Sequence, residues 1–391
     1  MKDNTDRLIC GLHMWKTTTV VVVLAVITLS TNIIMYNVSN LIIISSSERS
    51  QMILIADFGD NSKNNVAQTT HKYSTDQNSV NSAKVPVFHR AGSDYPSPST
   101  DFNLVSADLI QILVNGSSSQ DDQYVITPEQ RCLDVELVMC VMSSRDNFVQ
   151  RQAIRQTWGG YAKDKGNSAR LFFFLGSEDP STEPFESTQS LVENEAKIFG
   201  DVLQANFVDS YRNLTLKSIS ILQWVSQHCR RSRFLLKSDD DVYVNVPFLV
   251  RTLKDMQELE DLKGIFLTGF VYSDASPIRD GTSKWYTPYN LYKESEYPMY
   301  VSGTAYAMTV DAARLLFKAS NEVPFFWLED VFITGLCAKK AGVRIVNSKL
   351  FVYHRLEPKG CSLKSVISGH KYTSSELAKI HNELYDDTAT C

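Results

Sequence analysis

Between Lys16 and Glu48 the chain carries no charged residue, although 21% of its 391 residues are charged. Other absences narrow the chemistry. No GxxxxGK[ST] loop is present and no GxGxxG follows a strand, which excludes a P-loop or a Rossmann dinucleotide cradle. No GxSxG elbow offers a hydrolase serine. The seven histidines form no HExxH pair, and the cysteines form no CxxC or other zinc spacing. A net charge of −5 supplies no basic field for nucleic acid. The overall composition, 43% hydrophobic and 10% aromatic, is that of a globular protein and excludes wholesale disorder, collagen and a multi-span membrane protein. No internal repeat is visible.

The uncharged interval is itself informative. Thr17 to Tyr36 supplies the roughly 20 mostly apolar residues that a helix needs to cross a bilayer core. Trp15 and Tyr36 stand at the two ends, where interfacial aromatics belong. Lys2, Arg7 and Lys16 precede the segment, and no Lys or Arg follows until Arg49. This asymmetry predicts a signal-anchor at 17–36, a cytosolic tail at 1–16 and a lumenal remainder. A buried core helix, or a signal peptide cleaved near Ser30, would produce a similar hydropathy. In a lumenal chain Asn115 and Asn213 head usable N-glycosylation tripeptides, whereas Asn37 lies close against the membrane. Cys10 falls in the tail. Cys132, Cys140, Cys229, Cys337, Cys361 and Cys391 make an even lumenal set whose connectivity sequence does not decide.

Residues 37–130 are rich in Ser, Asn, Thr, Asp and Gln, and such a segment buries too little surface to offset its ordering entropy. They are expected to form a stem, with a catalytic domain over 131–391. From Val135 onward, apolar strand-like runs alternate with helical periodicity: Val135–Met142, Arg151–Trp158, Arg170–Gly176, Leu191–Phe199, Leu216–Val225 and Phe234–Lys237. Strand–helix alternation predicts an α/β sheet with parallel strands, and ligands bind at the carboxyl ends of such strands. Asp239-Asp240-Asp241 stands at one such end. Three adjacent carboxylates repel one another and suit either a solvated turn or a divalent cation bridging to a diphosphate. Asp330 precedes a helical pattern running to Gly342. A carboxylate there caps the helix, or is held ionised by the helix end as a proton acceptor.

Several segments in order resemble glycosyltransferase family 31, the β1,3-galactosyltransferase and β1,3-N-acetylglucosaminyltransferase group. They are Arg151–Gly159 (RQAIRQTWG), Phe173–Gly176, Phe199–Leu203, Phe207–Lys217 (FVDSYRNLTLK), Lys237–Asn245 (KSDDDVYVN), Lys284–Tyr286, Tyr297–Tyr306 and Glu329–Val331. The resemblance implies a GT-A fold, a Rossmann-like mixed sheet flanked by helices, behind a membrane anchor and stem. It also implies an inverting transferase that uses a UDP-sugar and Mn²⁺ and delivers a hexose in β1,3 linkage to a glycan on a glycolipid or glycoprotein. The setting would be the Golgi membrane, single-pass type II, with the catalytic domain in the lumen. UDP-galactose is the first expectation for the donor and UDP-N-acetylglucosamine the second. A non-catalytic lumenal chaperone or scaffold is the alternative from another class.

By the same resemblance Asp241 binds the metal, Asp239 and Asp240 orient ribose, metal waters or backbone, and His354 is the late-domain metal histidine. His354 could equally be a packed strand-end residue. Asp330 would be the general base, with Glu329 as second candidate or sugar-hydroxyl ligand. Arg155 and Lys284 are cations able to offset a diphosphate, although Arg155 could instead serve a structural ion pair. Gly303 would admit the donor sugar close to the backbone, and Trp285, Tyr286, Tyr300 and Trp327 are candidates for stacking on sugar faces.

Overall fold

The computed structural model describes residues 123–391 apart from 129–131, 133–134, 165, 180–187, 260–261, 263, 387 and 389–390, together with residues 43–44 and 53–54. The expected tail (with Cys10), the membrane span 17–36, Asn37, Asn115 and nearly all of the stem lie outside the described residues. Among the described residues no helix is long and apolar enough to cross a membrane. The chain divides into two compact units, Met1–Tyr95 and Pro96–Cys391. In the first, Ile43–Ile44 pairs antiparallel with Ile53–Leu54.

The second unit opens with β1 (Tyr124–Ile126), β2 (Leu137–Met142), helix α1 (Phe148–Gln156) and β3 (Ala169–Ser177). Helix α2 (Thr188–Phe199), β4 (Val202–Val208), helix α3 (Leu214–His228) and β5 (Phe234–Asp239) continue the alternation. Then come β6 (Val242–Val244), α4 (Val246–Gln257), β7 (Phe266–Tyr272), β8 (Tyr300–Thr309) and α5 (Val310–Ser320). A π-helical run (Val331–Cys337) leads into α6 (Ala338–Ala341), β9 (Arg344–Asn347), α7 (Gly360–Leu363), β10 (Ser368–His370) and α8 (Ser374–Leu384).

Eight strands form one sheet in the order β9-β7-β8-β5-β2-β3-β4-β1. The central four, β5-β2-β3-β4, are parallel, as the alternation predicts. β8 runs antiparallel to β5 and β7, and β1 antiparallel to β4, so the sheet as a whole is mixed. β1 lies within the stretch expected to be stem, and its pairing carries the sheet N-terminal of residue 131. All six residues of β2 are buried, as befits a central parallel strand covered on both faces. Its side chains alternate between two cores. Val138, Cys140 and Met142 face the core under α3 and α5. Leu137, Met139 and Val141 face the core under α1, α4 and α8.

From β2 the chain moves to β3 and β4 on one side and then to β5 on the other. β2 and β5 therefore flank a topological switch point, and the crevice for a ligand opens at their carboxyl ends. Register sets Met142 beside Asp239 across that point. Cys132 is bonded to Cys229 and Cys361 to Cys391, while Cys140 and Cys337 are buried free thiols.

Candidate active site

β5 ends on Asp239 and β6 begins at Val242, so Asp240 and Asp241 form the turn between them. β6 pairs antiparallel with β10, which sets His370 opposite Val242. The Tyr372 N–H donates to the Asp241 carbonyl at 2.9 Å and closes the ribbon end. Ligand atoms of Asp239, Asp241 and His370 consequently lie within 4.8 Å of one another. His370 Nδ1 is 3.1 Å from the Tyr353 carbonyl, which only accepts, so Nδ1 carries a proton. The Nε2 atom is then the one facing Asp241 Oδ1, at 3.2 Å. In a neutral ring that nitrogen presents a lone pair to a carboxylate, an arrangement that calls for a proton or a cation. Burial lowers the His370 pKa, but the bond to Asp241 and the charges of Asp241 and Asp239 outweigh it and raise the value.

The three aspartates differ in their surroundings. Asp240 Oδ2 accepts from Ser143 Oγ at 2.7 Å and Asn147 Nδ2 at 2.9 Å, which ties the turn to the loop after β2. Asp239 Oδ1 accepts from the buried Lys237 ammonium at 2.7 Å. Burial nonetheless pushes the Asp239 carboxyl up to about 6, against the pull of Lys237.

Lys237 joins this group to a second pair of carboxylates. Its ammonium also donates to the Gly303 carbonyl and lies 3.8 Å from Glu329 Oε2. A Cβ added at Gly303 would stand 3.1 Å from Glu329 Oε2 and 3.3 Å from Asp330 Cβ, a tight fit that would press on both carboxylate side chains. Glu329 is buried, and its Oε1 accepts from Ser218 Oγ at 2.6 Å and Tyr306 Oη at 2.8 Å. Asp330 caps the π-helical run and accepts the Val331 N–H at 2.9 Å. Burial, and then the charge of Glu329, push its carboxyl up to about 7. Burial thus works against the helix end and the capping bond, which favour the ionised form.

The rim is aromatic and cationic. Trp285 is half-exposed and donates its indole N–H to Tyr211 Oη at 3.1 Å. The Lys284 ammonium sits 4.4 Å from the Trp285 ring centre. Burial raises the Tyr211 pKa, and the nearby charges of Asp330 and Asp239 add to the shift. Trp327 is buried, with Tyr211 edge-on and the Arg212 guanidinium over its face.

Three expectations change. His354 is exposed with its ring edge-on to Tyr353, and His370, sixteen residues onward, occupies the acidic cluster instead, because the β6–β10 ladder brings it beside Asp241. Arg155 is a core residue rather than a phosphate contact. It is 2% exposed, paired with Asp201 through Nε and Nη2 and with Glu195 through Nη1, and stacked on Phe173 and Phe199. Asn213 is half-buried and donates to the Val208 carbonyl at 2.8 Å, while Thr215 of the same tripeptide is buried against the Phe326 and Trp327 carbonyls. The tripeptide thus opens a packed helix rather than lying on a surface loop. Sequence reasoning passed over Lys237, Ser218, Tyr306, Asn147 and His370. The first lies inside the KSDDD motif and Tyr306 closes the Tyr297–Tyr306 segment; the others carry no local signal.

An α/β sheet whose switch-point crevice holds two linked sets of carboxylates defines a ligand-binding class, and comparison with known proteins narrows it. The galactosyltransferase family model matches residues 149–349. Beta-1,3-galactosyltransferase 1 of Homo sapiens is 34% identical over 249 residues, covering 63% of this chain and 73% of that protein. Beta-1,3-galactosyltransferase 5 of Homo sapiens is 35% identical over 228 residues, covering 58% of this chain and 70% of that protein. Among solved structures, a glycosyltransferase involved in the glycosylation of the major capsid of PBCV-1 overlaps 62% of this chain and 96% of its own at 11% identity and a TM-score of 0.32, too distant a likeness to carry an argument. The chain belongs to the galactosyltransferase family, in agreement with the resemblance to glycosyltransferase family 31.

Proposed function

We propose that the protein transfers galactose from UDP-galactose to a glycan hydroxyl in β1,3 linkage, with inversion and without a covalent enzyme intermediate. The observation that carries this reading is the buried ammonium of Lys237, which bridges Asp239 on one side and the Gly303 carbonyl and Glu329 on the other. Asp239, Asp241 and His370 would hold a divalent cation. Two hard carboxylates and one imidazole, with no thiolate, fit Mn²⁺ better than a soft metal. The proton that His370 Nδ1 directs at the Tyr353 carbonyl leaves Nε2 as the ligand atom. When bound, such a cation neutralises charge on the departing diphosphate.

The rest of the work falls to the chain. Asp330 takes the acceptor hydroxyl proton as that oxygen bonds to the anomeric carbon and the UDP oxygen leaves. Its carboxyl near 7 is poised for a proton transfer at neutral pH. Ser218, Tyr306 and Lys237 hold Glu329 facing inward, so Glu329 positions the neighbouring base instead of acting as one. Lys237 keeps its proton: burial lowers its pKa, but Asp239, Glu329 and Asp330 together raise it. Residues 17–36 would anchor the enzyme as a type II Golgi membrane protein with this crevice in the lumen.

UDP release measured across a panel of UDP-sugars with Mn²⁺ and simple glycan acceptors tests the reading. UDP-galactose is expected to turn over fastest. Turnover confined to UDP-N-acetylglucosamine would overturn the donor, and no UDP release with any sugar would overturn the enzyme.

A further inference from the structure

The histidine of the acidic cluster comes from outside the part of the chain that defines the family. The family match ends at residue 349, and His370 lies beyond it. The arm from about residue 350 to Cys391 therefore supplies one corner of the crevice, and its construction bears on how firmly that corner is held.

One set of contacts docks the arm. The Asn245 N–H donates to the Ile367 carbonyl and the Ile367 N–H to the Leu350 carbonyl, both at 2.8 Å. Gln150 Nε2 donates to the Asp240 and Tyr372 carbonyls at 2.8 and 3.1 Å, clamping turn and arm together. Leu363, Ile367, Tyr372, Leu377 and Ile380 are buried in the core below.

A second set aims the histidine. Lys371, directly after His370, has φ of 70°, a left-handed conformation that a residue with a Cβ holds only when its surroundings impose it. The Lys371 carbonyl accepts from Arg355 Nη1, and Arg355 Nη2 is paired with Glu376 Oε1 at 2.5 Å. Glu376 in turn completes a capping box with Thr373 at the start of α8. A third fastening closes the arm on itself: the Cys361–Cys391 disulfide spans 30 residues, with His370 inside the loop. Beside it, Gly360 lies so tightly on the end of α8 that a Cβ there would collide with the Glu383 and Leu384 backbone.

We infer that the Cys361–Cys391 disulfide and the Arg355–Glu376 pair are a latch that positions His370 for the divalent cation and so sets the affinity of the crevice for it. The inference rests on the metal reading above. It ties metal loading to a compartment in which the disulfide persists, and it makes Arg355, Cys361 and Cys391 positioning residues that touch neither cation nor sugar.

Mn²⁺ affinity of the full chain, read from the EPR signal of free Mn²⁺, tests it. The Cys361→Ser/Cys391→Ser variant and Arg355→Gln are each expected to weaken Mn²⁺ binding by about 10-fold, the scale on which groups that orient metal ligands act. Arg355→Gln carries the test if the serine variant does not fold. Cys132→Ser/Cys229→Ser, which opens the disulfide outside the arm, is expected to leave the affinity unchanged. In a His370→Ala background the arm variants should add nothing further. If His370→Ala weakens binding but both arm variants bind like the parent, the latch is overturned and the metal reading stands. If His370→Ala binds Mn²⁺ as tightly as the parent, the metal reading falls and the latch with it.

Discussion

Two regions of this molecule bury charge, and they do so in opposite ways. Under the sheet, Arg151 and Arg155 meet Glu195 and Asp201. Arg151 is bonded to both Glu195 oxygens, and Arg155 to Glu195 and Asp201, so two cations answer two anions. At the switch point, Asp239, Asp240, Asp241, Glu329 and Asp330 outnumber the buried ammoniums near them, those of Lys237 and of Lys217, which is itself paired with Asp209, and His370 stands at the edge. The balanced group is complete in itself and braces the loop after β2, where Arg151 also donates to the Ser144 and Arg145 carbonyls. The unbalanced group holds Asp239 and Asp330 with raised pKa values, first because burial disfavours the charged form and then because neighbouring carboxylates, Asp241 and Glu329, repel it. Balanced buried charge is architecture; an uncompensated set in a crevice is arranged for a partner.

That contrast can be broken at either end. The largest effect is expected from Asp330→Asn, which keeps an oxygen for the Val331 N–H but removes the proton acceptor. Turnover should fall by about 10²–10⁴-fold while UDP binding and thermal midpoint hold. Near-parental turnover would remove Asp330 from the mechanism. Arg155→Ala should act on stability instead. Leaving Asp201 and part of Glu195 uncompensated in the core costs about 3–5 kcal/mol in denaturant unfolding, with turnover per folded molecule preserved. A selective loss of UDP affinity at unchanged stability would return Arg155 to the nucleotide. His370→Ala should weaken Mn²⁺ binding by about 10–100-fold, and His354→Ala should not change it.

The smallest effect concerns pH. A base with a carboxyl near 7 must be ionised to act, so turnover should decline as pH falls through about 7. Stability moves the other way. A carboxyl raised above its unfolded value binds its proton more readily in the folded protein, so acidification from about pH 7 toward 5 favours the fold. A turnover profile flat between these values would contradict the placement of Asp330.

Much of this was legible from local pattern. The run from Val135 to Met142 is apolar throughout because β2 is covered on both faces, and the Asp triplet follows Phe234–Lys237 because β5 ends there. Asp330 precedes a helical pattern that allows either a cap or a proton acceptor, and the cap is seen. What was not legible depends on partners distant in sequence. Arg155 looks like a phosphate contact until Glu195 and Asp201 arrive from α2 and the turn before β4. His370 sits in a tail without motif, and only its pairing with Val242 reveals it. The reversal of β8 between β5 and β7 likewise left no mark in the alternation of strands and helices.

The most direct test of the central claim is UDP release from UDP-galactose by the full chain, followed with and without a chelator. The account predicts that EDTA abolishes release and that added Mn²⁺ restores it. Undiminished release in EDTA would contradict the role given to Asp239, Asp241 and His370.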